Sequence, residues 1–114
     1  MKATIWHNPR CSKSRAALAI LEETPGVEVE TVEYLRTPPA RARIAEVLAR
    51  AGVAPSQALR KGEAVVKDTG LDTGDDAAVL DAMAAHPILI ERPIVITDRG
   101  AVIARPPEKL REIL

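Results

Sequence analysis

The chain has 114 residues, and its 16 basic and 16 acidic side chains leave no net formal charge. This balance gives no electrostatic support for binding to nucleic acid or to a membrane surface. A single cysteine excludes an internal disulfide and a zinc site built from several cysteines. No apolar run approaches the roughly 20 residues that span a bilayer, and the start of the chain lacks a signal-peptide pattern. We therefore expect one cytoplasmic domain, residues 1–114, without a metal ion, nucleic acid or membrane partner.

The first third of the chain predicts a strand, a helix and a second strand. Ala3–Trp6 is short and apolar, as is typical of a strand, and the period changes to a helical one after Cys11. Apolar residues then recur at three- and four-residue steps, namely Ala17, Leu18 and Leu21. Pro25 ends the helix, and Val27–Tyr34 alternates like a half-exposed strand. This order favours a βαβ unit with parallel strands.

The middle of the chain, about residues 40–86, predicts a helical insertion that is too small to form a separate domain. A first helix has an apolar face and ends at Gly52, whereas Pro55–Leu59 and Glu63–Thr69 suggest shorter helical pieces. Either Asp75 or Asp76 is placed to cap a further helix. The apolar residues of the two longer helices are Ile44, Val47, Leu48 and Ala51 in the first, and Val79, Leu80 and Met83 in the second.

The last third predicts a β-hairpin and a final helix. Pro93–Thr97 and Ala101–Ala104 are apolar runs joined by a turn that contains Gly100. Pro106 and Pro107 suit the first turn of a helix, whose apolar face has Leu110, Ile113 and Leu114. The complete order is βαβ, helical insertion, ββα, which predicts an α/β fold with a thioredoxin-like mixed sheet. A fold alone does not determine a function.

Cys11 lies between the first predicted strand and the first helix, where backbone N–H groups and the positive helix end stabilise an anion. This position lowers the pKa of a thiol, and Arg10, Lys13 and Arg15 add positive charge nearby. The same N–H groups could hold a bound oxyanion. A buried structural cysteine is the alternative interpretation. Charged neighbours on both sides favour a reactive thiol instead.

Ser14 occupies the position at which a Cys-x-x-Cys motif would have its second cysteine. A covalent intermediate on Cys11 must therefore be resolved by an external thiol, such as glutathione or a small redox protein. No internal disulfide can form at this site.

Residues 7–15, from His7 to Arg15, resemble the active-site loop of the glutaredoxin-linked arsenate reductase family. Tyr34 and Leu35, before a pair of prolines, are also typical of that family. Three further stretches match in order and spacing: Leu59–Lys61, His86–Val95 and Arg105–Glu108. The resemblance therefore covers essentially the whole chain, and it agrees with the thioredoxin-like fold and its insertion.

The resemblance implies that Cys11 attacks arsenate, and that glutathione and glutaredoxin complete the reduction to arsenite. It implies that His7 tunes the thiolate and that Ser14 hydrogen bonds to it. The expected oxyanion ligands are Arg60, Arg92 and Arg105, together with Asn8 and Arg10 of the loop. Arginine suits this role because its donors match oxyanions bidentately and its charge is permanent. Glutathione is the expected cosubstrate, and we expect no tightly bound cofactor and a monomeric protein.

Pro93 matches the position of the proline that faces the nucleophile in thioredoxin-like folds, which predicts a cis Arg92–Pro93 bond. Two alternatives keep the fold but change the function. One is a glutathione-dependent thiol oxidoreductase that acts on another oxyanion or on a mixed disulfide. The other is a non-catalytic redox regulator that binds RNA polymerase, but such relatives typically carry the second cysteine that Ser14 replaces here. Trp6 is expected to fill the core.

Overall fold

The computed structural model describes every residue from Met1 to Leu114. It divides the chain into two compact units, the first of which combines Met1–Thr37 with Arg92–Leu114. The second unit, Pro38–Glu91, is the predicted helical insertion with slightly wider bounds. That the whole chain forms one domain stays a prediction.

The first unit is built on a four-stranded mixed sheet. Its strands are β1 (Lys2–Trp6), β2 (Glu28–Val32), β3 (Ile94–Thr97) and β4 (Gly100–Ile103), in the order β2-β1-β3-β4. β1 is parallel to β2 and antiparallel to β3, and β3 and β4 form the antiparallel hairpin. The predicted thioredoxin-like mixed sheet is therefore confirmed. In its register, Ile5 of β1 lies opposite Thr31 on one side and Val95 on the other.

Helix α1, Ser12–Glu23, and the C-terminal segment Pro107–Ile113 contribute to one core with this sheet. The C-terminal segment is a 3-10 helix, and it buries Leu110 and Ile113 as its apolar spacing predicted. Of the apolar face predicted for α1, Ala17 and Leu21 are buried and Leu18 is partly buried. The buried members of this core are Ala3, Ile5, Ala17, Leu21, Val95, Val102, Ala104, Leu110 and Ile113.

Trp6, the last residue of β1, is only 3% exposed. It is paired with Val32 of β2 and with Ile94 of β3, in the interior of the sheet. The prediction that Trp6 fills the core is confirmed. The loop that contains Cys11 begins at the next residue, so its first backbone position is anchored to a buried end of β1.

The second unit contains the helices α2 (Arg41–Ala51), α3 (Ala64–Thr69) and α4 (Asp76–Ala85). Two 3-10 segments, Pro55–Ala58 and Pro87–Leu89, complete it. α2 ends as predicted at Gly52, which adopts the left-handed conformation with φ of +71°. The Asp75 side chain caps α4 by accepting a hydrogen bond from the N–H of Ala78 at 3.2 Å.

The apolar interior of the second unit follows the predicted helix faces, with two differences, at Ala51 and Leu80. Val79 and Met83 of α4 are fully buried, whereas Ala51 of α2 and Leu80 of α4 are half-buried. The remaining buried residues of the unit are Ile44, Val47, Leu48, Ala58, Leu59, Leu89 and Ile90. No helix in either unit is long and apolar enough to cross a membrane.

Candidate active site

The loop between β1 and α1 is held in shape by its own hydrogen bonds. The carbonyl of Asn8 accepts the N–H of Cys11 at 3.0 Å, and the Asn8 side chain accepts the N–H of Arg10 at 3.0 Å. Such a turn reverses the chain with a side-chain amide in place of a backbone carbonyl. Arg15 donates from Nη1 to the carbonyl of Pro9 at 2.8 Å. These contacts place Cys11 at the N-cap of α1, with extended backbone angles.

Cys11 is a partly exposed free cysteine. Its burial alone raises the pKa of the thiol, but backbone N–H groups of Ser14 and Lys13 donate hydrogen bonds that lower it. The guanidinium of Arg92 lowers it further through its charge and a hydrogen bond. The net pKa of Cys11 lies below its ordinary value, which favours the nucleophilic thiolate.

Ser14 is fully buried, and its hydroxyl links the loop to His7. Ser14 Oγ lies 2.7 Å from His7 Nδ1 and accepts the N–H of Asn8 at 3.0 Å. The backbone N–H of Ser14 donates a hydrogen bond to Cys11. The Ser14 hydroxyl contacts His7 and Asn8 instead, and a catalytic role for Ser14 stays a prediction.

His7 is 6% exposed, and this burial lowers the pKa of its imidazole. Glu33 and, more weakly, Glu22 raise that pKa, whereas Arg15 lowers it. The net pKa of His7 lies below its ordinary value, so the ring is predominantly neutral at pH 7.

Arg92 and Arg105 meet at the open end of the β-hairpin. Arg105 donates from Nη1 to the carbonyl oxygen of Arg92 at 3.0 Å, and both side chains belong to half-buried residues. The Arg92–Pro93 bond is cis as predicted, and the Arg105–Pro106 bond is cis as well. The structure therefore brings two of the three predicted arginines together, and Arg92 also contacts the nucleophile.

Arg60 belongs to the second unit. Its Nη2 pairs with the carboxylate of Glu63 at 2.7 Å, and its Nη1 donates to the carbonyl of Ile88 at 3.3 Å. The Arg60 side chain is 20% exposed and is thus held in a defined position within this unit. Its participation in oxyanion binding stays a prediction.

A surface pocket of about 350 Å³ lies beside the loop. It is lined by His7, Asn8, Pro9, Arg10, Glu33, Leu35 and Arg36. Glu33 was not among the predicted site residues. The sequence prediction placed Glu33 inside the second strand, Val27–Tyr34, whereas β2 ends at Val32 and leaves Glu33 beside the loop. No group of three His, Cys, Asp or Glu side chains lies close enough to share a metal ion.

The fold and this loop define a class of protein: a thioredoxin-like domain with a single, partly exposed cysteine at the N-cap of its first helix. The model of the ArsC family matches residues 6–113, which is almost the entire chain. The chain belongs to the ArsC family.

Individual relatives agree with this assignment over their full length. The arsenate reductase of Neisseria meningitidis is 43% identical over 113 residues, which cover 96% of each chain. The structure of the arsenate reductase from Vibrio cholerae superimposes with a TM-score of 0.91 at 40% identity, covering 100% of this chain and 98% of that one. The uncharacterised protein YfgD of Escherichia coli is 42% identical, over 96% of this chain and 94% of its own.

Proposed function

We propose that this protein is an arsenate reductase that uses Cys11 as its nucleophile. The observation that carries the proposal is the environment of the Cys11 sulfur, which two backbone N–H groups and the guanidinium of Arg92 surround. These donors favour a thiolate, and they also suit the oxygens of an arriving oxyanion. The names of the full-length relatives from Neisseria meningitidis and Vibrio cholerae supply the substrate.

In the first step, the Cys11 thiolate attacks arsenic, an S–As bond forms, and one arsenate oxygen leaves as water after protonation. A thiolate and an arsenate dianion repel each other, so the attack needs cationic compensation. Arg92 supplies this positive charge at the sulfur, and Arg105 holds the backbone of Arg92 through the 3.0 Å hydrogen bond to its carbonyl oxygen. The N–H groups of Lys13 and Ser14 stabilise negative charge on the adduct. Asn8 and Arg10 shape the loop around the substrate, and Arg60 is proposed as a third guanidinium.

The reduction needs two electrons, which Cys11 alone cannot supply, since the chain has no second cysteine. We propose that glutathione displaces a further oxygen of the adduct, and that a glutaredoxin thiol then attacks the glutathione sulfur. A disulfide forms between glutathione and glutaredoxin, and arsenic is reduced from the +5 to the +3 state. Hydrolysis of the remaining S–As bond releases arsenite and restores the Cys11 thiol. No tightly bound cofactor is required.

A second candidate keeps this site but changes the substrate to another oxyanion or a glutathione mixed disulfide. The similarity to YfgD favours retaining this second candidate, since that uncharacterised protein resembles the chain as closely as the arsenate reductases do. A non-catalytic regulator fits less well, because Ser14 replaces the second cysteine of a dithiol switch. We further propose that the protein is a cytoplasmic monomer.

The test is arsenate-dependent NADPH oxidation with glutathione, glutaredoxin and glutathione reductase present. We expect turnover by the wild type and a loss of more than about a hundredfold in Cys11→Ser, because the hydroxyl is a far weaker nucleophile. Ser12→Ala is the matched control, since Ser12 is exposed and adjacent, and it should retain turnover. Wild-type inactivity with a rapidly alkylated Cys11 would favour the second candidate. Inactivity with a slow thiol would contradict both enzyme proposals.

A further inference from the structure

His7 and Glu33 are the first residues after the ends of two neighbouring strands, β1 and β2. β1 and β2 are parallel, their register ends with Trp6 opposite Val32, and the N–H of His7 donates to the carbonyl of Val32 at 2.8 Å. The next residues of both strands, His7 and Glu33, therefore emerge at the same edge. Both also line the 350 Å³ pocket beside the loop. Glu33 has no part in the mechanism described so far.

The hydroxyl of Ser14 links the imidazole of His7 to the loop. Ser14 Oγ accepts the N–H of Asn8 at 3.0 Å and lies 2.7 Å from His7 Nδ1. When the Ser14 O–H donates to Nδ1, a neutral His7 is protonated at Nε2. If His7 becomes an imidazolium, Nδ1 also donates, and the Ser14 O–H must turn to another acceptor. Because the Ser14 N–H already binds the Cys11 sulfur, the charge of His7 acts on a residue bonded to the nucleophile.

The charged groups that face His7 come from each element around it. Helix α1 contributes Arg15 and Glu22, the loop contributes Arg10, and the segment after β2 contributes Glu33 and Arg36. Glu33 is the carboxylate that shares a pocket with the imidazole. Its ion pair with Arg36 is long, 3.9 Å, and the Arg36 side chain is 81% exposed, so this pair neutralises Glu33 only weakly.

We propose that Glu33 is a positioning residue for the reaction, acting on Cys11 through His7 and Ser14. Its carboxylate stabilises the imidazolium of His7, and that positive charge keeps Cys11 ionised as the medium becomes acidic. The proposal rests on the proposed function for the role of Cys11 as a nucleophile, but it requires no particular substrate. It can therefore fail while arsenate reduction stands, and it can stand if the substrate proves to be different.

The first test is an NMR titration of the His7 ring in the wild type, Glu33→Gln and Glu28→Gln. We expect Glu33→Gln to lower the pKa of His7, because a stabilising negative charge is lost. Glu28 lies at the far end of β2 and is exposed, so Glu28→Gln should leave His7 unchanged. His86, the other histidine, lies in the second unit and provides an internal reference. An unchanged His7 titration in Glu33→Gln would overturn the proposal.

The second test is the pH profile of Cys11 alkylation by iodoacetamide, measured as a double-mutant cycle with His7→Gln. Glu33→Gln should slow alkylation about two- to fivefold at mildly acidic pH, the range expected for a half-exposed charge pair. In the His7→Gln background the same substitution should have no effect. A slowing of equal size in both backgrounds would show that Glu33 does not act through His7. If His7→Gln does not fold, the NMR titration decides alone.

Discussion

The ionisation of Cys11 results from opposing effects on one sulfur atom. Burial raises the pKa of the thiol, and hydrogen bonds from the N–H groups of Ser14 and Lys13, together with Arg92, overcome this effect. The two N–H donors belong to the backbone, so only a substitution to proline would remove them. The Arg92 side chain also lowers the pKa of Cys11, and mutagenesis can remove it directly.

Arg92→Gln should raise the pKa of Cys11, so that a smaller fraction of the thiol is ionised at neutral pH. We expect alkylation at pH 7 to slow by about three- to tenfold, the loss typical of one charge-assisted hydrogen bond at a partly exposed site. The measurement is the pH dependence of the iodoacetamide reaction. Arg111→Gln removes an exposed arginine from the C-terminal segment and should have no effect. An unchanged profile in Arg92→Gln would contradict the assignment.

The residues that the structure places around Cys11 were predictable from the matched motifs, but their contacts were not. The sequence indicated both Ser14 and Arg105, yet Ser14 binds the sulfur with its backbone and Arg105 donates to the Arg92 carbonyl. Side-chain rotamers and competing acceptors decide such contacts, and a linear motif specifies neither. Glu33 was missed because the predicted second strand, Val27–Tyr34, included it, whereas the pairing of β1 with β2 ends at Val32.

At the scale of the elements, Gly52 determines how helix α2 ends. Its φ of +71° is a conformation that L side chains rarely adopt, and an added Cβ would meet no atom within 4 Å. Gly52→Ala should therefore lower the free energy of unfolding by about 1 kcal/mol through backbone strain alone. Gly62→Ala is the control, because Gly62 has equal space without a positive φ. Urea denaturation of both variants tests this, and equal stability would contradict it.

Element types were predicted well, whereas element ends depended on partners. The second strand was predicted over residues 27–34 but covers Glu28–Val32, because its pairing stops where β1 ends at Trp6. Asp75 and Asp76 were equal candidates to cap α4. Asp75 makes the cap, and the Asp76 carboxylate instead accepts the N–H of Ser56 at 3.2 Å. Two adjacent aspartates look alike in a sequence. The path of the backbone into the helix decides which of the two caps it.

At the scale of the molecule, the first unit joins the two ends of the chain. β1 pairs with β3, although all residues of the second unit lie between these two strands in the sequence. Local periodicity predicts each strand but not this pairing, since the contact is distant along the chain. The mixed sheet was therefore predicted from the order of the elements, by analogy with thioredoxin-like folds, and not from the hydrophobic pattern alone. The C-terminal segment is part of the same core, since Leu110 is fully buried with Ile5 and Leu21.

Leu110→Ala should lower the free energy of unfolding by about 2–5 kcal/mol, because it leaves a cavity in that core. Lys109→Ala changes the adjacent exposed residue and should shift stability by less than about 0.5 kcal/mol. Both values can be measured by urea denaturation. Similar stability of the two variants would mean that the C-terminal segment contributes little to the folded state.

The scarcity of aromatic residues gives the protein a built-in optical reporter. Trp6 is the single tryptophan, it is shielded from water, and it immediately precedes the loop that contains Cys11. All indole fluorescence therefore originates from one position in the centre of the sheet. We expect blue-shifted emission that resists quenching by acrylamide in the native state, and a red shift on unfolding. Emission typical of a hydrated indole in the native protein would contradict the buried position of Trp6. With such a signal, unfolding of the first unit could be followed without attaching any label.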